Sequence, residues 1–270
     1  MRRGEPIVRH SDLEADDGVR LRVTHFSGGG RRLIVLAPGF WRRRADRENV
    51  FVARHLAHRG YDVASFDFRG HGDSEGHYGF GTEEWRDFLA VAEAFRPTHP
   101  EIAALGFSMG GSIAADAMVR RPDLPWRALI MVSAPSDLVR LRPRPWKAAA
   151  WKMMSLGRAT RPPRVDWRRL SEAKPRAEAA VAQLRIPKLI VTLEDDWLVR
   201  PSHGDRLQAL AAEPVERSHL AVGRSLHADA VVRFAPVAFL GVVGEFLGRH
   251  FPPDGTTAPE RADADVAVIP

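Results

Sequence analysis

Short, continuous apolar runs alternate along the chain with longer amphipathic stretches, the pattern of an α/β protein whose sheet is mostly parallel. Seven strands are predicted, at residues 20–26, 33–37, 62–67, 102–106, 128–133, 188–193 and 215–222. Runs such as LIVLA, ALIMVS and KLIVTL are apolar throughout, as expected of parallel strands covered on both faces. Helical spacing predicts helices over 46–59, 82–95, 108–120 and 231–249, with another beginning near Pro201. The second opens on Thr82-Glu83-Glu84, a threonine cap followed by acids that suit a helix N-terminus.

Two segments break this rhythm. Residues 136–185 carry no strand signal and many Pro and Arg, and read as an insertion between two strands. Residues 251–270 have no usable periodicity and read as a loose tail. The core is therefore expected to comprise 1–135 and 186–250. At 270 residues, 44% of them hydrophobic, the chain can bury a full core without staples. The absence of cysteine excludes disulfides, thiolate catalysis and Cys-based zinc sites. No apolar run approaches the roughly 20 residues of a membrane span. The N-terminal arginines have no apolar segment behind them, so a cytoplasmic, soluble protein is expected. Net charge is +6, but residues 136–186 hold 13 Lys+Arg against 4 Asp+Glu. The basic character belongs to the insertion alone.

The chemistry centres on Gly106-Phe107-Ser108-Met109-Gly110, which joins an apolar strand to an Ala-rich helix. In that context a Gly-x-Ser-x-Gly turn lifts the serine hydroxyl above the sheet. Glycine is required at 106 and 110 because a β-carbon would crowd the neighbouring elements. The bland alternative is that Ser108 merely caps the helix. A serine nucleophile needs a base within hydrogen-bond reach and an acid to orient that base. In hydrolases built on this turn the chain order is Ser, acid, His. The strand KLIVTL runs into Glu194, Asp195 and Asp196, at the strand end where open α/β sheets place their sites. Asp137, just after ALIMVS, is a further candidate acid. His227 lies in a loop after the last strand, whereas His203 and His219 fall within predicted elements. Acyl transfer also needs backbone donors for the developing oxyanion. The N–H of Met109 is one candidate, and that of Phe40, in the Pro38-Gly39-Phe40-Trp41 loop, is the other.

These residues resemble the α/β-hydrolase superfamily, most closely its bacterial esterase and monoacylglycerol-lipase-like branch, which includes serine aminopeptidase-like sequences. The resemblance spans about residues 19–250. Ala37-Pro38-Gly39-Phe40, the Gly106–Gly111 turn, the Asp196 and His227 neighbourhoods and Asp67-Phe68-Arg69-Gly70-His71-Gly72-Asp73-Ser74 carry it, the last being the most specific. It implies an α/β-hydrolase fold, a mostly parallel twisted sheet with helices on both faces and a small basic cap formed by 136–185. It favours Asp196 as the acid, because Asp-x-x-Val is the family spacing there. It makes the His71 stretch a structural brace rather than a catalytic one. Pro38 stands where the family has His, which bears on the geometry of the oxyanion loop.

Within the insertion, Trp146, Ala149, Ala150, Met153 and Met154 share one helical face, with Trp151 opposite, beside Lys147 and Lys152. That apolar face either packs on the core or lines an acyl pocket, which makes Trp146, Trp151, Met153 and Met154 the candidate substrate contacts. The positive charge would steer an anionic substrate or rest on an anionic lipid surface. The expected activity is hydrolysis of a small-molecule carboxylic ester through an acyl-enzyme, with Ser108, His227 and Asp196 as the triad and no cofactor or metal. A thioesterase or acyltransferase would use the same groups. A non-catalytic binding protein of the same fold has no need of all three. Nucleic-acid binding is disfavoured, because the basic segment contains no recognised module.

Overall fold

The computed structural model describes residues 5–138, 162–172 and 176–254. Eight strands form one sheet in the order β1-β2-β4-β3-β5-β6-β7-β8. They are β1 (Ile7–Glu14), β2 (Arg20–Ser27), β3 (Arg32–Ala37), β4 (Asp62–Phe66), β5 (Glu101–Phe107), β6 (Trp126–Val132), β7 (Lys188–Leu193) and β8 (Val215–Leu220). The β1–β2 and β2–β4 pairings are antiparallel, and β4 through β8 run parallel. Seven of the strands coincide with the apolar runs. The eighth, β1, escaped the pattern because it is an edge strand, open to solvent along most of its length, with Val8 and Leu13 packed on the cores and too few other apolar positions to show a period.

The central strands feed two cores. Leu33, Val35 and Ala37 face one, with Ile102, Ala104, Leu129 and Met131, against α2 (Glu84–Phe95) and α3 (Met109–Arg120). Ile34 and Leu36 face the other, with Ala103, Leu105, Ile130 and Val132. That side is covered by α1 (Arg47–His58) and the C-terminal helices. Helices α4 (Ala177–Val181) and α5 (Pro201–Leu210) complete the first layer. The C-terminal pair is α6 (Ala230–Phe234) and α7 (Pro236–His250), where periodicity had indicated one continuous helix. Pro236 is the cause. Its ring excludes the helical conformation at the preceding residue, and Ala235 takes φ −141°, ψ 52°. Apolar spacing is shared by both pieces and could not reveal the break.

A second correction concerns the start of α2. Thr82 does not cap it; its hydroxyl donates to the Gly79 carbonyl at 3.0 Å. The buried carboxylate of Glu84 accepts the backbone N–H groups of Gly79 and Gly81 instead.

Candidate active site

The turn between β5 and α3 is held in a conformation an L-residue rarely adopts, with Ser108 at φ 51°, ψ −124°. Such a backbone costs on the order of 1–3 kcal/mol and persists only where its surroundings over-determine it. Here they do. The Ser108 N–H donates to the Val132 carbonyl at 2.8 Å. A β-carbon on Gly106 would lie 2.4 Å from Gly111 Cα, and one on Gly110 would lie 2.4 Å from both the Ala37 and Pro38 carbonyl oxygens. Only glycine at both positions lets β3, β5 and α3 close around the turn. The Ser108 hydroxyl does not cap α3.

That hydroxyl points at His227, with Oγ 2.9 Å from Nε2. The opposite ring nitrogen, Nδ1, lies 2.9 and 3.0 Å from the two carboxylate oxygens of Asp196. An ionised carboxylate can only accept, so Nδ1 carries the hydrogen and a neutral ring offers its Nε2 lone pair to Ser108 Oγ–H. Asp196 is in turn fixed, its Oδ1 accepting the N–H groups of Leu198 at 2.9 Å and Val199 at 2.8 Å. Its side chain is shielded from solvent, and the His227 ring is 14% exposed. The Trp197 ring stands edge-on to the imidazole, 5.8 Å between centroids. Ser108, His227 and Asp196 come from three connections far apart in sequence, all at the C-terminal edge of the parallel strands.

The other candidates lie elsewhere. Asp195 and Glu194 are exposed. Asp137 is buried and pairs with Arg176 at 3.4 Å. His203 Nδ1 lies 3.0 Å from Ser136 Oγ, and His219 Nδ1 lies 2.9 Å from Thr192 Oγ1.

The Pro38–Trp41 loop runs against the serine turn, where a β-carbon on Gly39 would sit 3.3 Å from both Ser108 Cβ and the Phe107 carbonyl oxygen. The loop that carries Phe40 thus passes close to the turn that carries Met109. His71 holds this loop. Its Nε2 accepts the Trp41 N–H at 3.1 Å, and its Nδ1 donates to the Arg69 carbonyl at 3.2 Å. Burial pushes its pKa down to about 4, so the ring stays neutral and keeps the Nε2 lone pair the loop needs. Arg69 is locked in turn by the buried Asp87 and by Asp17. Asp67 accepts the Asp73 N–H and the backbone and guanidinium of Arg44. The side chains of His71 and Asp67 thus brace the Trp41–Arg44 loop through its backbone N–H groups.

A prediction follows from the His71 geometry. His71→Gln is expected to lower kcat/KM about tenfold through a loosened loop. It should also flatten the pH dependence of stability. The unfolded imidazole binds a proton near pH 6.5 and the folded one only near 4, so its contribution is intact above pH 6.5 and is lost as pH falls through that window. Urea midpoints of both proteins between pH 7 and 4.5 test this; parallel curves would refute it.

Comparison with known proteins decides the family. The model of the serine aminopeptidase S33 family matches residues 30–165, half of the chain. The chain belongs to this family. An uncharacterized protein of Mycobacterium tuberculosis is 27% identical over 220 residues, spanning 77% of this hydrolase and 69% of the relative. Among solved structures, the Pyrococcus furiosus esterase Pf2001 superposes with a TM-score of 0.71 at 21% identity, covering 91% of each chain. The esterase RhEst1 from Rhodococcus sp. gives 0.71 at 20% identity, covering 88% of this chain and 98% of its own. Mouse alpha/beta hydrolase domain-containing protein 10 gives 0.67 at 16% identity, covering 89% and 99%. The fold is that of an α/β-hydrolase, as the sequence resemblance implied.

Several residues of this hydrolase's site were not singled out in the sequence. Tyr78, fully buried, donates its hydroxyl to the Met109 sulfur and packs on the Phe40 ring at 5.0 Å. Phe80 packs on Phe40 at 5.9 Å and on Trp167 at 5.6 Å. Tyr78 also bridges to Val165, and Arg164 exchanges backbone hydrogen bonds with Gly70 and Tyr78, so the described end of the insertion is stitched to the loop after β4. The only hint in the sequence was a Gly-flanked aromatic run, GHYGFG, with no periodicity to place it. Trp146, Trp151, Met153 and Met154 lie outside the described residues. Among the described residues no helix is long and apolar enough to cross a membrane.

Proposed function

We propose that this hydrolase cleaves carboxylic esters of small molecules through an acyl-enzyme. The observation that carries the reading is the continuous hydrogen-bonded series from Ser108 Oγ through the His227 ring to Asp196, anchored by two backbone N–H groups. Its esterase structural neighbours support the same reading. Ser108 Oγ attacks the ester carbonyl as its proton passes to His227 Nε2, and the imidazolium is stabilised by Asp196. The N–H groups of Phe40 and Met109 receive the negative charge on the carbonyl oxygen. Collapse expels the alcohol, which takes the proton from His227. Water then repeats the sequence on the acyl-serine, releasing the acid and restoring Ser108. Phe40 and Trp167, backed by the buried Tyr78 and Phe80, offer an apolar, aromatic surface suited to an acyl chain.

A panel of p-nitrophenyl esters of graded acyl length, run beside amino-acid p-nitroanilides, tests the reaction class. Ester turnover at least about a hundredfold above anilide turnover is expected, together with covalent labelling by a fluorophosphonate. Preferential turnover of the anilides would replace ester hydrolysis with peptidase action. Failure to label would remove the nucleophile.

A further inference from the structure

We propose that His25, Asp62 and His99 form a binding site for a divalent transition-metal ion, Zn²⁺ above all, at the opposite end of the strands from Ser108. The three lie on separate elements: His25 in β2, Asp62 at the first position of β4, and His99 in the connection from α2 to β5. In the β2–β4 ladder Ser27 pairs with Asp62 and His25 with Ala64, so His25 and Asp62 are diagonal neighbours on one face. The C-terminal turn of α2 brings His99 onto that face, where Phe95 packs against both imidazoles at 4.9 and 5.7 Å.

The side chains converge as ligands do. Nε2 of His25 lies 2.8 Å from Asp62 Oδ2 and Nε2 of His99 lies 3.2 Å from the same oxygen. The three donor atoms all fall within 4.8 Å of one another. Around a tetrahedral Zn²⁺ with bonds near 2.0–2.2 Å, donor atoms sit about 3.3 Å apart, so both Nε2–Oδ2 separations are already within about half an ångström of that value. Asp62 cannot turn away. Its Oδ1 accepts from Ser27 Oγ at 3.1 Å, Gly28 N at 3.0 Å and Gly29 N at 3.2 Å, and Ser27 Oγ also reaches Oδ2 at 3.2 Å.

The outer contacts fit a ligand role too. Nδ1 of His99 lies 3.2 Å from the Phe95 carbonyl and 2.9 Å from Thr98 Oγ1, while Nε2 faces Asp62. The tautomer with its hydrogen on Nδ1, toward the carbonyl, leaves the Nε2 lone pair for a metal ion. A ring nitrogen donated to a backbone carbonyl while the other faces a shared centre is the usual outer-shell arrangement of a zinc histidine. Two imidazoles and one carboxylate are ligands that Zn²⁺ takes readily. His99 and Asp62 are buried, whereas the His25 side chain is 18% exposed and opens the trio to solvent on that side. An ion here would tie β2, β4 and the end of α2 together, stabilising the fold without touching the ester.

Calorimetric titration of the chelator-stripped, untagged full chain with zinc chloride tests the site. Binding of about one ion per chain with a micromolar or tighter Kd is expected, with a rise in Tm. Cobalt(II) should give the visible absorption of a tetrahedral N/O site. His25→Gln and His99→Gln should each weaken binding at least about a hundredfold and remove the cobalt spectrum while ester turnover is retained. Should His99→Gln fail to fold, His25→Gln, at the partly exposed ligand, carries the test alone. No saturable binding, or binding undiminished in His25→Gln, would overturn the proposal and leave a hydrogen-bonded trio.

Discussion

Ser108→Ala is expected to lower kcat on a p-nitrophenyl ester by roughly 10⁴–10⁶-fold with little change in KM or Tm. The reason lies in what the substitution leaves untouched. The Ser108 backbone is held by Val132 and by the glycines at 106 and 110, none of which involves the hydroxyl, and Oγ makes its hydrogen bond to His227 alone among the described contacts. Alanine keeps the β-carbon and the turn, so on the proposed mechanism only the attacking hydroxyl is lost. Steady-state kinetics beside thermal melts decide the matter. A variant retaining activity within tenfold of the parent would show that another group attacks.

The second large effect is at Asp196. Asp196→Asn is expected to cost about 10³–10⁴-fold in kcat, although the two side chains have nearly the same shape. Oδ1 of Asp196 is committed to the N–H groups of Leu198 and Val199. In the amide, the oxygen must remain on those donors, so the NH₂ group faces His227 Nδ1. The ring then turns its Nδ1 lone pair to the amide and carries its hydrogen on Nε2, toward Ser108, where it cannot accept a proton. Asp195→Asn and Asp137→Asn are the controls, the former exposed and the latter paired with Arg176. Each should stay within about threefold of wild type. Kinetics across all three variants assign the acid. A greater loss at Asp137 than at Asp196 would move the role to the end of β6.

How much of this could be read from the chain alone differs from element to element. The central strands β3 to β7 declared themselves because a strand covered on both faces is apolar at nearly every position, and such runs are rare outside a core. Strand β1 did not, since its exposed side chains obey no pattern, and the α6–α7 break at Pro236 was hidden by apolar spacing that continues through it. Ser108 was visible because a strand, a tight turn and a helix meet there, and the two glycines that permit their approach are themselves sequence symbols. The series from Asp196 through His227 to Ser108 was only a set of candidates, because several acids stood just beyond strand ends and His227 was preferred to His203 and His219 on position alone. Tyr78, Phe80 and Trp197 were not legible at all: an aromatic side chain beside a site looks, in sequence, like any other aromatic.

By itself the sequence determined the α/β class, the tight turn at Ser108 and the confinement of positive charge to the insertion, for these depend on local conformation, on near-neighbour periodicity or on composition. Tertiary structure alone decided which carboxylate reaches His227, that His71 steadies the Trp41 loop, and that His25, Asp62 and His99 share one point at the other end of the sheet. Each of those choices turns on ångström-scale distances between groups separated by tens to more than a hundred residues. Such distances are set by how the strands register and how the helices pack upon them, and no local pattern encodes them.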